Sequence, residues 1–148
     1  MAYYNIDKNN EAEADFSKAI QIDQNLFDAY LGLAFTLIQK GNNSQSLKTI
    51  NKAITINPNS SNAHYCRGLI NYMEQDYQNA VTDFNNAINY DVNNINAVYG
   101  RGIAYYQLKD YQNAKNDFEN FIAKSNTSNV STNESRRLLT IIAKINNN

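Results

Sequence analysis

The chain has 148 residues, with 13 Lys and Arg against 14 Asp and Glu, a formal net charge of −1, and a single cysteine and histidine. No basic block is present to neutralise a phosphate backbone, which excludes a nucleic-acid footprint. Lone Cys66 excludes an internal disulfide framework and a thiolate-cluster zinc site, no apolar run reaches the ~20 residues of a membrane span, and residues 1–20 lack a signal-peptide core; the expectation is a cytoplasmic protein with no membrane partner.

In chain order, residues 1–26 carry Ala12, Phe16, Ala19 and Ile20 at helical spacing, which predicts one buried stripe. Residues 1–6 hold only the last turns of a preceding helix, so this stripe lacks half its cover. Either the chain is a piece of a longer array, or another molecule completes it. Residues 27–60 predict two helices of about 13 residues, separated by Gly41-Asn42 and closed by Asn57-Pro58. Residues 61–94 predict a second such pair, with Asp76 as the N-cap of its second helix. The third pair, 95–128, rewrites the second: Asp76-Tyr77-Gln78-Asn79-Ala80 with Asp83-Phe84 recurs as Asp110-Tyr111-Gln112-Asn113-Ala114 with Asp117-Phe118, an offset of 34 residues (110 − 76). A fixed offset of this size means stacked copies of one supersecondary unit. Residues 129–148 break the pattern, because Arg136 falls where Gly102 sat. There, Ser131 and Glu134 form a capping-box pattern before Leu138, Ile141, Ile142 and Ile145, which predicts a helix that caps the apolar end of the stack.

The aligned copies agree where packing demands it. Ala34, Gly68 and Gly102 coincide, as do Ser46, Ala80 and Ala114, then Ile50, Phe84 and Phe118. A 34-residue helical hairpin with small residues at these sites, an aromatic at Phe84 and Phe118, and Pro58 at the hinge resembles the tetratricopeptide repeat. The resemblance covers residues 1 to about 124. It implies an all-α, right-handed helical-hairpin solenoid of about three and a half repeats with a C-terminal capping helix. His64 and Val98 depart from the large aromatic usual in the family, and Asn71, standing where Leu37 and Tyr105 are apolar, is expected to loosen the second copy.

Within the copies, Arg67 and Arg101 appear with Asp83 and Asp117, whereas Leu33 appears with Thr49. This co-occurrence predicts Arg67–Asp83 and Arg101–Asp117 pairs that hold hairpin register. His64 lies on a buried stripe and reads as a packed core residue, and Cys66 as an inert thiol in the groove wall. No acid–base pair or activated nucleophile is assembled, so the reading is non-catalytic, with no cofactor. Gly68 and Gly102 are expected to let the helices of a hairpin approach. Gly32 and Gly100, aligned with Cys66, either open pockets on the first-helix side or permit contact between adjacent first helices.

The resemblance implies a concave face built from the first helix of each copy. That face carries Leu31, Phe35 and Ile38, then Tyr65, Leu69 and Tyr72, then Tyr99, Ile103 and Tyr106, with Tyr4 extending the row and Asn62 and Asn96 placed to hydrogen-bond a peptide backbone. The chaperone-binding clamp of the family uses lysine, asparagine and arginine; the matching sites here are Leu31, Phe35, Cys66, Asn96 and Gly100. The expected function is protein or peptide binding, as a scaffold or adaptor, through a neutral tyrosine-lined groove whose affinity depends little on salt. The alternative is self-association, with the incomplete first hairpin stacking on another copy.

Overall fold

The computed structural model describes residues 2–125 and 130–146, with side chains described for 8–125 and 130–145. Eight helices are present among these residues: α1 (Ala2–Ile22), α2 (Phe27–Gln39), α3 (Asn43–Ile56), α4 (Ser61–Met73), α5 (Tyr77–Tyr90), α6 (Ile95–Gln107), α7 (Tyr111–Lys124) and α8 (Val130–Asn146). The pairs α2/α3, α4/α5 and α6/α7 form three hairpins that stack in order, with α1 against α2 and α8 against α7. This is an all-α solenoid.

Each hairpin turns through one left-handed residue at the same repeat position: Gly41 (φ 75°), Gln75 (φ 63°) and Lys109 (φ 61°). The amide three residues beyond the helix then reaches back, from Asn42 to the Leu37 carbonyl, Asp76 to Asn71 and Asp110 to Tyr105. That closes the last turn of α2, α4 and α6. Asp76 and Asp110 cap the following helices as expected, accepting from the Asn79 and Asn113 amides. Asn42 occupies the corresponding cap position, but its side chain makes no capping bond.

The expected division of residues 1–26 into the end of one helix and a second helix is not seen, because α1 runs unbroken from Ala2 to Ile22. The left-handed residue would fall at Asp7, and that conformation costs a non-glycine residue roughly 1–2 kcal/mol. The position of the Tyr4 side chain lies outside the described residues.

In α8 the expected capping box is absent: Ser131 already lies within the helix, and Glu134 bonds Arg137 instead of reaching back to an amide. Leu138 and Ile142 are buried against Ala114 and Phe118, whereas Ile145 is exposed. Moreover, α8 keeps the 34-residue register despite Arg136 at the Gly102 position. Leu138 is buried, as are Thr36, Ile70 and Ala104 at the same repeat position. Arg136 is tolerated because it is exposed, there being no second helix among the described residues to press on that face.

The core explains the helical glycines. Phe84 is wholly buried, with Gly68 of its own hairpin on one side and Gly100 of the next on the other: a methyl at Gly68 would lie 2.7 Å from the ring, and one at Gly100 2.8 Å. Gly102 relates to Phe118 as Gly68 does to Phe84, and Gly32 to Phe16 as Gly100 does. Where the ring is replaced by smaller Ile50, the same two sites carry Ala34 and Cys66, all three buried in one cluster. Volume is conserved across each layer. Contact between adjacent first helices is therefore not the reason for Gly32 and Gly100; a ring from the preceding second helix is.

The ion pairs form as expected. Arg67 donates through Nε and Nη2 to buried Asp83, and Arg101 likewise to Asp117 at 2.8 and 2.6 Å. The remaining arm of each arginine reaches back to the preceding hairpin, Arg67 to Asn51 at 2.9 Å and Arg101 to Asn85 at 2.6 Å. Each arginine thus ties three helices. Asn71 does not loosen the second copy in the manner expected, since its amide donates to Asp83 at 2.9 Å and satisfies a buried carboxylate oxygen. His64 is buried, donating from Nε2 to the Pro58 carbonyl at 2.9 Å and lying on Tyr90.

Candidate peptide groove

The residues of the tyrosine row lie at positions i, i+4 and i+7 of α2, α4 and α6, which puts them on one side of each helix. Leu31, Phe35, Ile38, Tyr65, Leu69, Tyr72, Tyr99, Ile103 and Tyr106 are all half-buried, and Asn62 and Asn96 are exposed. That intermediate exposure has a cause. Tyr65 stands against Phe84 (ring centroids 5.9 Å), Tyr99 against Phe118 and Phe121 (6.3 and 5.0 Å), Tyr72 against Tyr77 (5.5 Å) and Tyr106 against Tyr111 (5.7 Å). Each of these four first-helix tyrosines therefore rests on a second-helix ring, fixing its orientation while one face stays open.

Between the second and third hairpins the row closes into a pocket of about 140 Å³, lined by Tyr65, Leu69, Tyr72, Asn96, Tyr99 and Ile103, with Gly100 as wall and Phe84 as floor. Six of the expected residues meet here. Leu31, Phe35, Ile38, Asn62 and Tyr106 do not line it, although the Phe35 ring centroid lies 6.5 Å from that of Tyr65. Sequence reasoning placed Phe84 in the core and missed its second role at the pocket floor. The signal was its alignment opposite Gly100, which brings the ring close beneath the backbone of the pocket wall.

Burial raises the Tyr65 hydroxyl above its ordinary value, with a smaller contribution from Cys66. Burial and the Glu134 charge raise Tyr99, opposed by a hydrogen bond with Ser131. These groups remain neutral donors at ordinary pH. Burial pushes the Cys66 thiol up to about 12, which removes it as a nucleophile.

Two larger hollows lie elsewhere. One of about 270 Å³ is lined by Asn51, Arg67, Asn71, Asn79, Thr82 and Asp83, whose Arg67, Asn71 and Asp83 groups are already bonded to one another. Another of about 240 Å³ is lined by Asn43, Ser44, Leu47, Ile70 and Glu74. It opens because Asn43 stands where Tyr77 and Tyr111 fill the later copies. Among the described residues, no group of three His, Cys, Asp or Glu is placed to hold a metal, and no helix is long and apolar enough to cross a membrane.

Residues 7–70 match one tetratricopeptide repeat model and residues 96–126 a second. The crystal structure of MamA is similar with a TM-score of 0.83 at 19% identity, over 94% of this chain and 79% of that one. YrrB, described as a TPR protein with an unusual peptide-binding site, is similar at 0.77 and 19% identity, over 86% of this chain and 63% of its own. The first TPR of Spaghetti (RPAP3), bound to the HSP90 peptide SRMEEVD, is similar at 0.73 and 19% identity, over 79% and 93%. At these identities the likeness shows the fold. No curated protein sequence matches the chain.

Proposed function

Because this chain belongs to the tetratricopeptide repeat family, we propose that it is a non-catalytic scaffold or adaptor whose concave face binds a peptide segment of a protein partner. The observation that carries this reading is the pocket of Tyr65, Leu69, Tyr72, Tyr99 and Ile103: half-open rings and aliphatic chains held in place from behind, with Asn96 exposed at the rim. Such a surface gives apolar contact and hydroxyl donors with little side-chain entropy left to lose. The sites of the family's chaperone clamp carry Leu31, Phe35, Cys66, Asn96 and Gly100, so an apolar anchor in an extended or helical segment is the preferred ligand, bound with little salt dependence. A fully buried, single thiol is compatible with the reducing cytoplasm proposed as the setting.

The test is fluorescence polarisation with a labelled octapeptide recovered from a randomised display library. Tyr72→Ala with Tyr106→Ala should lower affinity at least tenfold while helicity is retained. Each ring also supports Tyr77 or Tyr111, so about 0.5–1.5 kcal/mol of stability per site is lost. Unchanged affinity, or collapse of the fold, refutes the groove.

Self-association is the second reading, favoured by one observation. Phe16 is only half-buried, whereas Ile50, Phe84 and Phe118 at the same repeat position are wholly buried. A second copy laid on α1 would complete that layer. A mass that stays monomeric by light scattering up to high concentration would sink this reading.

A further inference from the structure

Beyond the third hairpin, α8 does more than cover the end of the stack. Arg137 falls 34 residues after Ile103, and Glu134 34 after Gly100, so both occupy groove positions of the repeat. They form a bidentate pair, Nε and Nη2 of Arg137 donating to the two Glu134 oxygens at 2.9 Å each, with Nη1 outside that pair. The Arg137 side chain is 66% exposed and that of Glu134 35%. Alongside them, Tyr99, Ile103 and Tyr106 of α6 pack against the cluster that holds Leu138 and Ile142 of α8. The tyrosine row therefore runs into a cation whose present partner is a residue of its own helix.

We propose, resting on the groove reading above, that Arg137 is a charge-reading subsite: an Asp or Glu side chain of an extended peptide, its apolar anchor in the Tyr65–Ile103 pocket, displaces Glu134 from the guanidinium. The physical basis is the small worth of an exposed ion pair, which is readily exchanged, combined with the preference of a planar guanidinium for bidentate carboxylates. Glu134 acts as an internal stand-in. It keeps the free groove neutral and gives a peptide lacking an acid no added affinity at the α8 end. Among the groove positions on α2, α4 and α6 already named, none carries a cationic side chain, so acid recognition is confined to the α8 end.

The probe is an array of immobilised octapeptides with one Leu or Ile anchor and the other positions drawn from Ala, Ser, Gln, Lys and Glu. Wild-type protein should select Glu at a fixed distance from the anchor. Arg137→Gln should weaken the selected peptides about tenfold and erase the preference, whereas Glu134→Gln should strengthen them several-fold. Replacing the peptide Glu by Gln should abolish both effects. Anchored peptides that bind through Tyr72 and Tyr106 without acidic enrichment, or unchanged affinity in Arg137→Gln with the fold intact, would overturn the subsite and leave the groove standing. An array with no binder at all would overturn both.

Discussion

The interlock of Phe84 with two glycines permits a sharp test in Gly100→Ala. On an open helix this change should stabilise by up to about 1 kcal/mol, because alanine restricts the unfolded chain and favours the helix. Here the added methyl would lie 2.8, 2.9 and 3.2 Å from three carbons of the Phe84 ring, against an ordinary carbon–carbon contact of about 3.5–4.0 Å. The ring is wholly buried and has little room to retreat, since on its other side it lies so near Gly68 that a methyl there would stand only 2.7–3.1 Å from the ring. Either α6 shifts outward or Phe84 leaves its rotamer, and overpacking of this kind costs about 1–3 kcal/mol. The net expectation is a loss of about 1–2 kcal/mol, read from the midpoint of urea unfolding by circular dichroism. The first hairpin supplies the rescue, because it surrounds smaller Ile50 with Ala34 and Cys66. In a Phe84→Ile background, Gly100→Ala should be neutral or stabilising, a coupling of about 1–3 kcal/mol. Additive effects, or a stabilised single variant, would refute the volume argument.

At the hairpin turns, Lys109→Gly and Gln75→Gly should each stabilise by about 0.5–1 kcal/mol, since both residues hold left-handed backbone that Gly41 adopts freely; a lowered urea midpoint would show that the side chains matter more than the backbone. Stability should fall in alkali through Cys66, whose thiol ordinarily titrates at 9.0 but is pushed up to about 12 by burial. The folded state holds this proton more tightly than the unfolded state, so the contribution is full below pH 9 and is lost as pH rises from 9 through 12, by about 1.4 kcal/mol per unit at most. Cys66→Ala should flatten this part of the stability curve, and an unaltered slope between pH 9 and 11 would assign the loss to other groups.

How much was legible divides along physical lines. The 34-residue period, the paired helices and the one-sided stripes follow from local rules: helical spacing, caps at Asp76 and Asp110, and small residues where helices cross. The Arg67–Asp83 and Arg101–Asp117 pairs were readable too, because the chain carries a copy lacking both partners. Their third arms to Asn51 and Asn85 were missed, since asparagine is too frequent in this chain to stand out. Likewise α1 was misread because alignment transfers a turn position without the packing energy that makes the turn hold.

The sequence by itself determined the repeat and which face of each first helix carries tyrosine, because both are consequences of spacing along one chain. Only the tertiary structure decided which of those residues share a pocket, that Phe84 forms its floor between Gly68 and Gly100, and that α8 packs Leu138 and Ile142 on the last hairpin. Those are relations between hairpins, set by how side-chain volumes fill a layer, and no spacing within a single helix encodes them.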